Sequence, residues 1–135
     1  MKKSTILSII VFGIIVLSIS ATGTSALKIE YGDVKLDAYE WEDEYLFFLD
    51  EGEQVTVQIT SDRPVDVYII HNKYYDKNSL GDSELENAEL FRNEVTNTDI
   101  TWTQPDGGNY YLLIVNDNID TANVDYSYES EDMDN

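Results

Sequence analysis

The chain contains no cysteine among its 135 residues. It therefore has no disulfide bridge to hold a small domain together, and it has neither a thiol nucleophile nor a thiolate metal site. Basic residues are also scarce, because eight Lys and Arg stand against 27 Asp and Glu, which gives a net charge of −19. A negative field of this size repels nucleic acid and anionic lipid, and it attracts cations and basic partners. Nucleic-acid binding is excluded on this ground.

Histidine is almost absent, since His71 is the only one. It stands at the end of a predicted strand, where a general base would need a nucleophile and an orienting partner within reach. The sequence has no G-x-S-x-G motif to supply that nucleophile. We interpret His71 as solvent-facing or hydrogen-bonded within a loop. Two carboxylates can support glycoside hydrolysis, but among 27 acids some pair always lies close, so a close pair is not evidence for catalysis. Since no other catalytic pattern is present in the sequence, we expect a protein that is not an enzyme.

Residues 1–26 have the pattern of a targeting segment. The segment starts with two lysines, continues with an apolar run over residues 6–19 and ends in small residues at 24–26. The apolar run is shorter than the roughly 20 residues that a membrane-spanning helix needs. We predict a signal peptide, with a retained N-terminal anchor as the alternative, and we expect membrane contact only through such an uncleaved segment. The protein is accordingly expected to be secreted or held at the cell surface.

The 109 residues after position 26 carry six basic and 27 acidic side chains, a net charge of −21. This length is enough for one domain with a hydrophobic core and too short for two. We predict one β-sandwich domain over residues 27–128. Residues 129–135 are so polar that we predict a disordered acidic tail.

The fold class follows from hydrophobic patterning. Residues 54–60 alternate apolar and polar side chains, as a half-buried antiparallel strand requires. Residues 110–115 are six apolar or aromatic residues without a charge, which is typical of a strand buried on both faces. About eight such short strands, separated by turn signals such as residues 61–64, predict an all-β fold that is a single antiparallel, jelly-roll-like β-sandwich. Residues 71–90 are less regular, and a capping-box pattern at residues 83–86 predicts one or two helical turns there.

Two stretches resemble a known family. The run P-D-G-G-N-Y-Y-L-L-I-V-N at residues 105–116 resembles the closing hairpin of bacterial and archaeal pre-peptidase C-terminal domains. Residues 65–70, V-D-V-Y-I-I, are similar to the D-V-Y strand of that family, which follows a V-x-V-x-I-type strand as at residues 55–59. Golgi-dynamics domains look much alike at this level. The resemblance covers about residues 34–128, and it implies a β-sandwich accessory module of secreted or surface proteins, usually without catalysis.

Four aromatic residues fall outside the strand alternation, namely Tyr39, Trp41, Tyr74 and Tyr75. We predict that they lie in loops. Loop aromatics beside Asp and Asn can stack on sugar faces or anchor a protein partner. We therefore predict a ligand-binding patch for an extracellular protein or polysaccharide; the alternative is that these side chains cover the open ends of the sandwich.

A calcium site is a further hypothesis. Asn116, Asn118 and Asp120 place three oxygen ligands at alternate positions after the buried strand, and Asp106 lies in the turn before it. Ca²⁺ prefers such ligands on loops, although Asn and Asp clusters also simply make turns. A second acidic cluster occupies residues 40–44, where a solvated face is the alternative to a site. We expect no other cofactor.

The sequence therefore predicts an exported, non-catalytic β-sandwich module that binds a protein or glycan at the cell surface. The alternative is a structural component of the cell envelope. A carboxylate-dependent glycan hydrolase is a distant alternative.

Overall fold

A computed structural model describes residues 2–3, 15–18 and 26–131 of the chain, and its side chains over residues 29–46 and 48–130. Nearly all of this part is extended. The strands are β1 (Lys2–Lys3), β2 (Ile15–Ser18), β3 (Ala26–Leu36), β4 (Glu40–Leu49), β5 (Gln54–His71), β6 (Leu90–Thr103), β7 (Gly108–Val115) and β8 (Ala122–Glu131). A 3-10 helix at Asn72–Tyr74 and a four-residue helix, α1 (Asp82–Leu85), lie between β5 and β6.

The long strand β5 connects the two halves of the fold. Its first half, from Gln54 to Ser61, pairs with β8, and its second half, from Asp66 to His71, pairs with β7. The predicted turn at residues 61–64 is wrong, because the strand bends there without reversing. The pairing with β6 shifts register between Thr60 and Val65, and such a bulge tolerates a proline that cannot donate to a ladder.

The strand order within the domain is β4, β7, β5, β8, β3, with β6 added to the other edge of β5. All pairings among these six strands are antiparallel. The prediction of an all-β, antiparallel fold is confirmed. All six strands contribute buried side chains to one hydrophobic cluster, so the single sheet surrounds one main core.

The main core consists of side chains from alternate positions of the strands. Val55, Val57 and Ile59 all point inward and are fully buried, as the alternation predicted. Burying one such side chain stabilises the fold by about 1.5–3 kcal/mol. Strand β7 is buried on both faces. Its Leu112 and Ile114 enter the main core, whereas residues 113 and 115 enter a second apolar cluster on the outer face of the sheet.

The segment from residue 72 to residue 89 covers that second cluster. Leu80 is buried in it, and Leu85 and Ala88 pack against it. Helix α1 begins after Gly81, whose N–H donates to Glu84 Oε2 at 3.0 Å. The predicted capping box therefore lies two residues earlier than expected. It begins the short helix within the covering segment.

The C-terminal end of the domain extends further than predicted. Strand β8 continues to Glu131, and Ser130 is only 4 % exposed with its Oγ 3.2 Å from Glu53 Oε2, so the prediction that a disordered tail begins at residue 129 is wrong. The strand continues because it pairs with β3 on one side and β5 on the other. Residues 132–135 lie outside the described residues.

Most of the predicted targeting segment also lies outside them. The structure describes three parts of it, namely β1, β2 and Ala26. Strand β1 pairs with β4, and β2 pairs with β3. No helix in the described part of the chain is long and apolar enough to cross a membrane.

Candidate functional site

The structure separates the four predicted ligand-binding aromatics. Trp41 lies in β4 and is 1 % exposed, so the prediction that it belongs to an accessible loop is wrong. Its Nε1–H donates to Tyr75 Oη at 3.2 Å, and that hydroxyl donates to Asp43 Oδ2 at 2.7 Å. These bonds attach the covering segment to the sheet. Residues 40–44 are acidic, and their local propensity does not indicate a strand. They are extended because β4 pairs with the apolar strand β7.

The alternative interpretation, that these aromatic side chains cover an open end of the sandwich, fits Tyr75 better than Tyr74. Tyr75 is half-buried, and its ring packs against Tyr111 with centroids 5.1 Å apart. Burial and the Asp43 carboxylate raise the pKa of Tyr75 well above its usual range. Tyr74 is exposed, and Lys73 Nζ lies 4.9 Å from its ring centroid. Tyr39 lies elsewhere, in the turn between β3 and β4.

The lone histidine has a structural contact. His71 Nδ1 accepts a hydrogen bond from the N–H of Lys73 at 3.1 Å and so begins the 3-10 helix. Its ring meets Tyr110 edge-on, with centroids 4.9 Å apart. This agrees with the interpretation of His71 as hydrogen-bonded within a loop.

The four predicted calcium ligands do not surround one position. Asn116 is fully buried, and its Oδ1 already accepts from the N–H of Asn118 at 3.2 Å. Asn118 in turn donates from Nδ2 to the carbonyl of Pro64 at 3.1 Å. Asp106 lies before β7, whose eight residues span about 25 Å. Asp120 is exposed near Asn116.

The acidic cluster at residues 40–44 is part of a strand, so its side chains alternate between two faces. Glu40 is buried and accepts a hydrogen bond from the N–H of Asp37 at 2.8 Å, and Glu44 accepts one from Tyr126. Among the described residues, no three His, Asp or Glu side chains are grouped so that they could hold a metal ion. Calcium binding stays a prediction.

Asn116 has another function in the fold, which is to join two loops. Its Nδ2, whose two hydrogens are shared among three acceptors, donates to the carbonyls of Leu36 and Asp37, both at 3.1 Å, and to the carbonyl of Asp120 at 2.8 Å. Its backbone N–H donates to the carbonyl of Glu40 at 2.9 Å. The connection between β3 and β4 is thereby fixed against the connection between β7 and β8. We call residues 37–39 and 116–121 together the loop end.

The loop end presents two exposed apolar side chains. Tyr39 is 48 % exposed and has a φ of 61°, the left-handed region that Gly and Asn adopt more readily than an aromatic residue. Ile119 is 76 % exposed. A hydrogen bond of 3.1 Å from Thr121 Oγ1 to Asp37 Oδ1 also connects the two loops.

Sequence reasoning found Tyr39 and Asn116 but missed Ile119. The signal was a single apolar residue between turn formers, in the run N-D-N-I-D at residues 116–120. Turn formation explains the Asn and Asp residues on both sides of Ile119, but it does not explain an isoleucine between them.

Further carboxylates, Asp66 and Asp62, lie beside the loop end. Burial raises the pKa of Asp66, and the negative charges of Asp117 and Glu94 raise it further, against a hydrogen bond from the N–H of Glu94 at 2.8 Å. Asp62 shows the opposite effect, because hydrogen bonds from Asn123 lower its pKa. The surface around the two apolar side chains therefore combines exposed apolar groups with negative charge.

The protein is therefore an all-β, antiparallel protein with an acidic loop end whose two loops are held together by hydrogen bonds of Asn116. No family model matches the sequence, and no curated protein matches it. Among solved structures, the chain is similar to that of PliG from Aeromonas hydrophila, a periplasmic lysozyme inhibitor of g-type lysozyme. The TM-score is 0.58 at 9 % sequence identity, covering 76 % of this chain and 85 % of PliG. This likeness shows a shared fold, and the resemblance to pre-peptidase C-terminal domains stays a prediction.

Proposed function

We propose that this protein is an exported, non-catalytic module that binds a protein partner through its loop end. The observation that carries the proposal is Tyr39, an aromatic residue held in a left-handed conformation at an exposed turn. A non-glycine residue in this region costs about 1 kcal/mol or more, and such strain is concentrated at functional sites. Packing does not repay the cost here, because half of the side chain faces solvent.

The geometry of the loop end suits protein recognition. Tyrosine is enriched among the residues that dominate binding energy at interfaces. Asn116 fixes both loops before any partner arrives, and a rigid surface loses less conformational entropy on binding than a mobile one. Ile119 adds apolar surface that is exposed to solvent in the isolated protein and that a partner could bury.

Charge indicates what kind of protein would bind. The chain has a net charge of −19, and Asp37, Asp117 and Asp120 lie within the loop end itself. Complementary charge accelerates encounter and disfavours acidic partners, so the partner is a basic protein. The similar fold of PliG, a lysozyme inhibitor, supports a protein in preference to a polysaccharide. The targeting pattern of residues 1–26 supports an encounter outside the cytoplasm, in the medium or at the cell surface.

Photo-cross-linking tests the proposal even when the partner has not been identified. The photoreactive residue p-benzoylphenylalanine would replace Tyr39 in one variant and Ile119 in another, in cells of the source organism. We expect both variants to give the same covalent adduct with one exported basic protein, identified by mass spectrometry. The matched control places the same residue at Tyr45, which is 44 % exposed but lies in the middle of β4.

The outcomes separate the proposal from its alternatives. An equal adduct from position 45, or none from positions 39 and 119, would contradict binding through the loop end. Adducts only with further copies of this chain would indicate a structural envelope component. A purified g-type lysozyme is the first defined partner to assay, and its inhibition should be lost in Tyr39→Asn if it is the partner.

A further inference from the structure

A groove lies on the outer face of the sheet where the covering segment ends. It has a volume of about 500 Å³ and is lined by Tyr68, Asp82, Leu85, Glu86, Ala88 and Phe91. Tyr68 of β5 and Phe91 of β6 are cross-strand partners, and their rings stack with centroids 4.7 Å apart at an interplanar angle of 19°. We call this site the aromatic groove.

The floor of the aromatic groove is apolar and incompletely covered. Tyr68 is 9 % exposed because the second cluster packs against it, whereas Phe91 is 47 % exposed. The covering segment reaches only as far as Leu85 and Ala88, which remain half-buried. An aromatic face is therefore available to a ligand that enters beside α1.

The walls and surroundings of the aromatic groove are negative. Asp82 and Glu86 line it and are exposed. Burial, followed by the charges of Asp66, Asp117 and Asp82, raises the pKa of Tyr68 to about 12. Burial disfavours any charge, but the three carboxylates that oppose the tyrosinate favour a cation at the exposed side of the groove. Asp117 belongs to the loop end, so the negative surface is shared by both sites.

We infer that the aromatic groove receives an arginine side chain of the basic protein partner, with its guanidinium against Phe91 and its charge compensated by Asp82 and Glu86. This inference rests on the proposed function. A cation within about 6 Å of an aromatic centroid is attracted by the ring's negative face. Arginine suits the groove better than lysine, because its planar group stacks on a ring while it donates to carboxylates.

A peptide titration tests this inference directly. Tri-arginine would be titrated into the ¹⁵N-labelled protein and followed by NMR, with tri-citrulline as the neutral probe of the same shape. We expect saturable shifts centred on Tyr68, Ala88 and Phe91 with tri-arginine. We expect no comparable shifts with tri-citrulline, because it lacks the charge.

Two variants and one matched control make the test specific. Phe91→Leu keeps an apolar side chain but removes the π face, and Asp82→Asn/Glu86→Gln removes two charges; each should weaken tri-arginine binding about threefold or more. Asp99→Asn/Asp125→Asn removes the same charge from exposed positions outside the groove, eight residues along β6 from Phe91 and on β8, and should change the affinity by less than about twofold. Equal losses in both double variants, or equal binding of tri-citrulline, would overturn the inference.

Its failure can be distinguished from failure of the proposed function. If tri-arginine does not bind in the groove while positions 39 and 119 still give their adduct, the groove inference is wrong and the loop end stands. If tri-arginine binds as expected and no adduct forms, the groove binds arginine and the loop end is not the docking surface.

Discussion

Asn116 donates a hydrogen bond from its side-chain amide to the backbone carbonyl of Asp120, 2.8 Å away, and this bond closes the connection between β7 and β8 beneath Ile119. The same amide holds the carbonyls of the neighbouring turn that carries Tyr39. One buried side chain therefore sets the relative position of the two exposed residues that we assign to binding.

Replacing Asn116 tests this bracing. Asn116→Ala leaves three carbonyls without their donor in a buried site, and we expect the free energy of unfolding to fall by about 2–4 kcal/mol. Urea denaturation measures the change. Asn118→Ala is the matched control, since it removes one exposed bond to Pro64, and it should cost less than about 1 kcal/mol. Similar losses in the two variants would contradict a special role for Asn116.

Gly32 is required by a close approach of Tyr126. The two residues are cross-strand partners, and a Cβ built on Gly32 would lie 2.5 Å from Cζ of the tyrosine. Tyr126 is buried and donates to the carboxylate of Glu44, so its ring is not free to move away. We expect Gly32→Ala to destabilise the protein by about 1–3 kcal/mol in urea denaturation.

Two further variants check the reason for that loss. Gly107→Ala meets no atom closer than 3.5 Å and should change stability by less than about 0.5 kcal/mol. In a Tyr126→Ala background the cost of Gly32→Ala should largely disappear, because contacting residues are not additive. A full additive loss in the double variant would refute the steric explanation.

Asp66 predicts a pH dependence of stability. Its pKa in the folded protein is raised above 3.8, so the stability that its protonated form contributes is present below pH 3.8 and is lost as the pH rises through the folded-state pKa. Asp66→Asn keeps an oxygen to accept from Glu94 and removes the buried charge. We expect this variant to be more stable than the wild type near about pH 7 and equal to it near about pH 3.

Asp62 provides a control of opposite sign. Its pKa is lowered, so its contribution is present above pH 3.8 and is lost as the pH falls through the lower folded-state pKa. Asp62→Asn should therefore lower the melting temperature near about pH 7. Thermal unfolding of both variants at the two pH values measures these differences, and equal signs for Asp62→Asn and Asp66→Asn would contradict the assignment.

The sequence was most informative where local pattern and tertiary structure agree. The alternation at residues 54–60 and the uncharged run at 110–115 predicted strands, their faces and the all-β class. Trp41 was misplaced because its acidic neighbours indicate a loop, and only pairing with β7 makes the segment a strand. Ser130 was misplaced for the same reason, since its burial depends on pairing with β3 and on Glu53, which is 77 residues distant in sequence.

The candidate site was predictable only in part. Turn residues such as Asn116 were visible in the sequence, but its function as a brace depends on carbonyls 79 and 80 residues away. The strain at Tyr39 is a backbone angle, and no composition pattern reports it. The pair of Tyr68 and Phe91 depends on the register of β5 with β6, which a bulge shifts between residues 65 and 67.

The most direct test of binding through the loop end measures stability and binding in one variant, Tyr39→Asn. Asparagine adopts the left-handed conformation more readily, so we expect the free energy of unfolding to rise by about 1 kcal/mol. In the same variant, the adduct formed from p-benzoylphenylalanine at position 119 should fall several-fold, because the aromatic anchor is gone. That combination would establish that Tyr39 is retained for binding at the expense of stability. A variant that loses stability would contradict the strain at Tyr39, and a variant that keeps the full adduct yield would contradict binding through Tyr39.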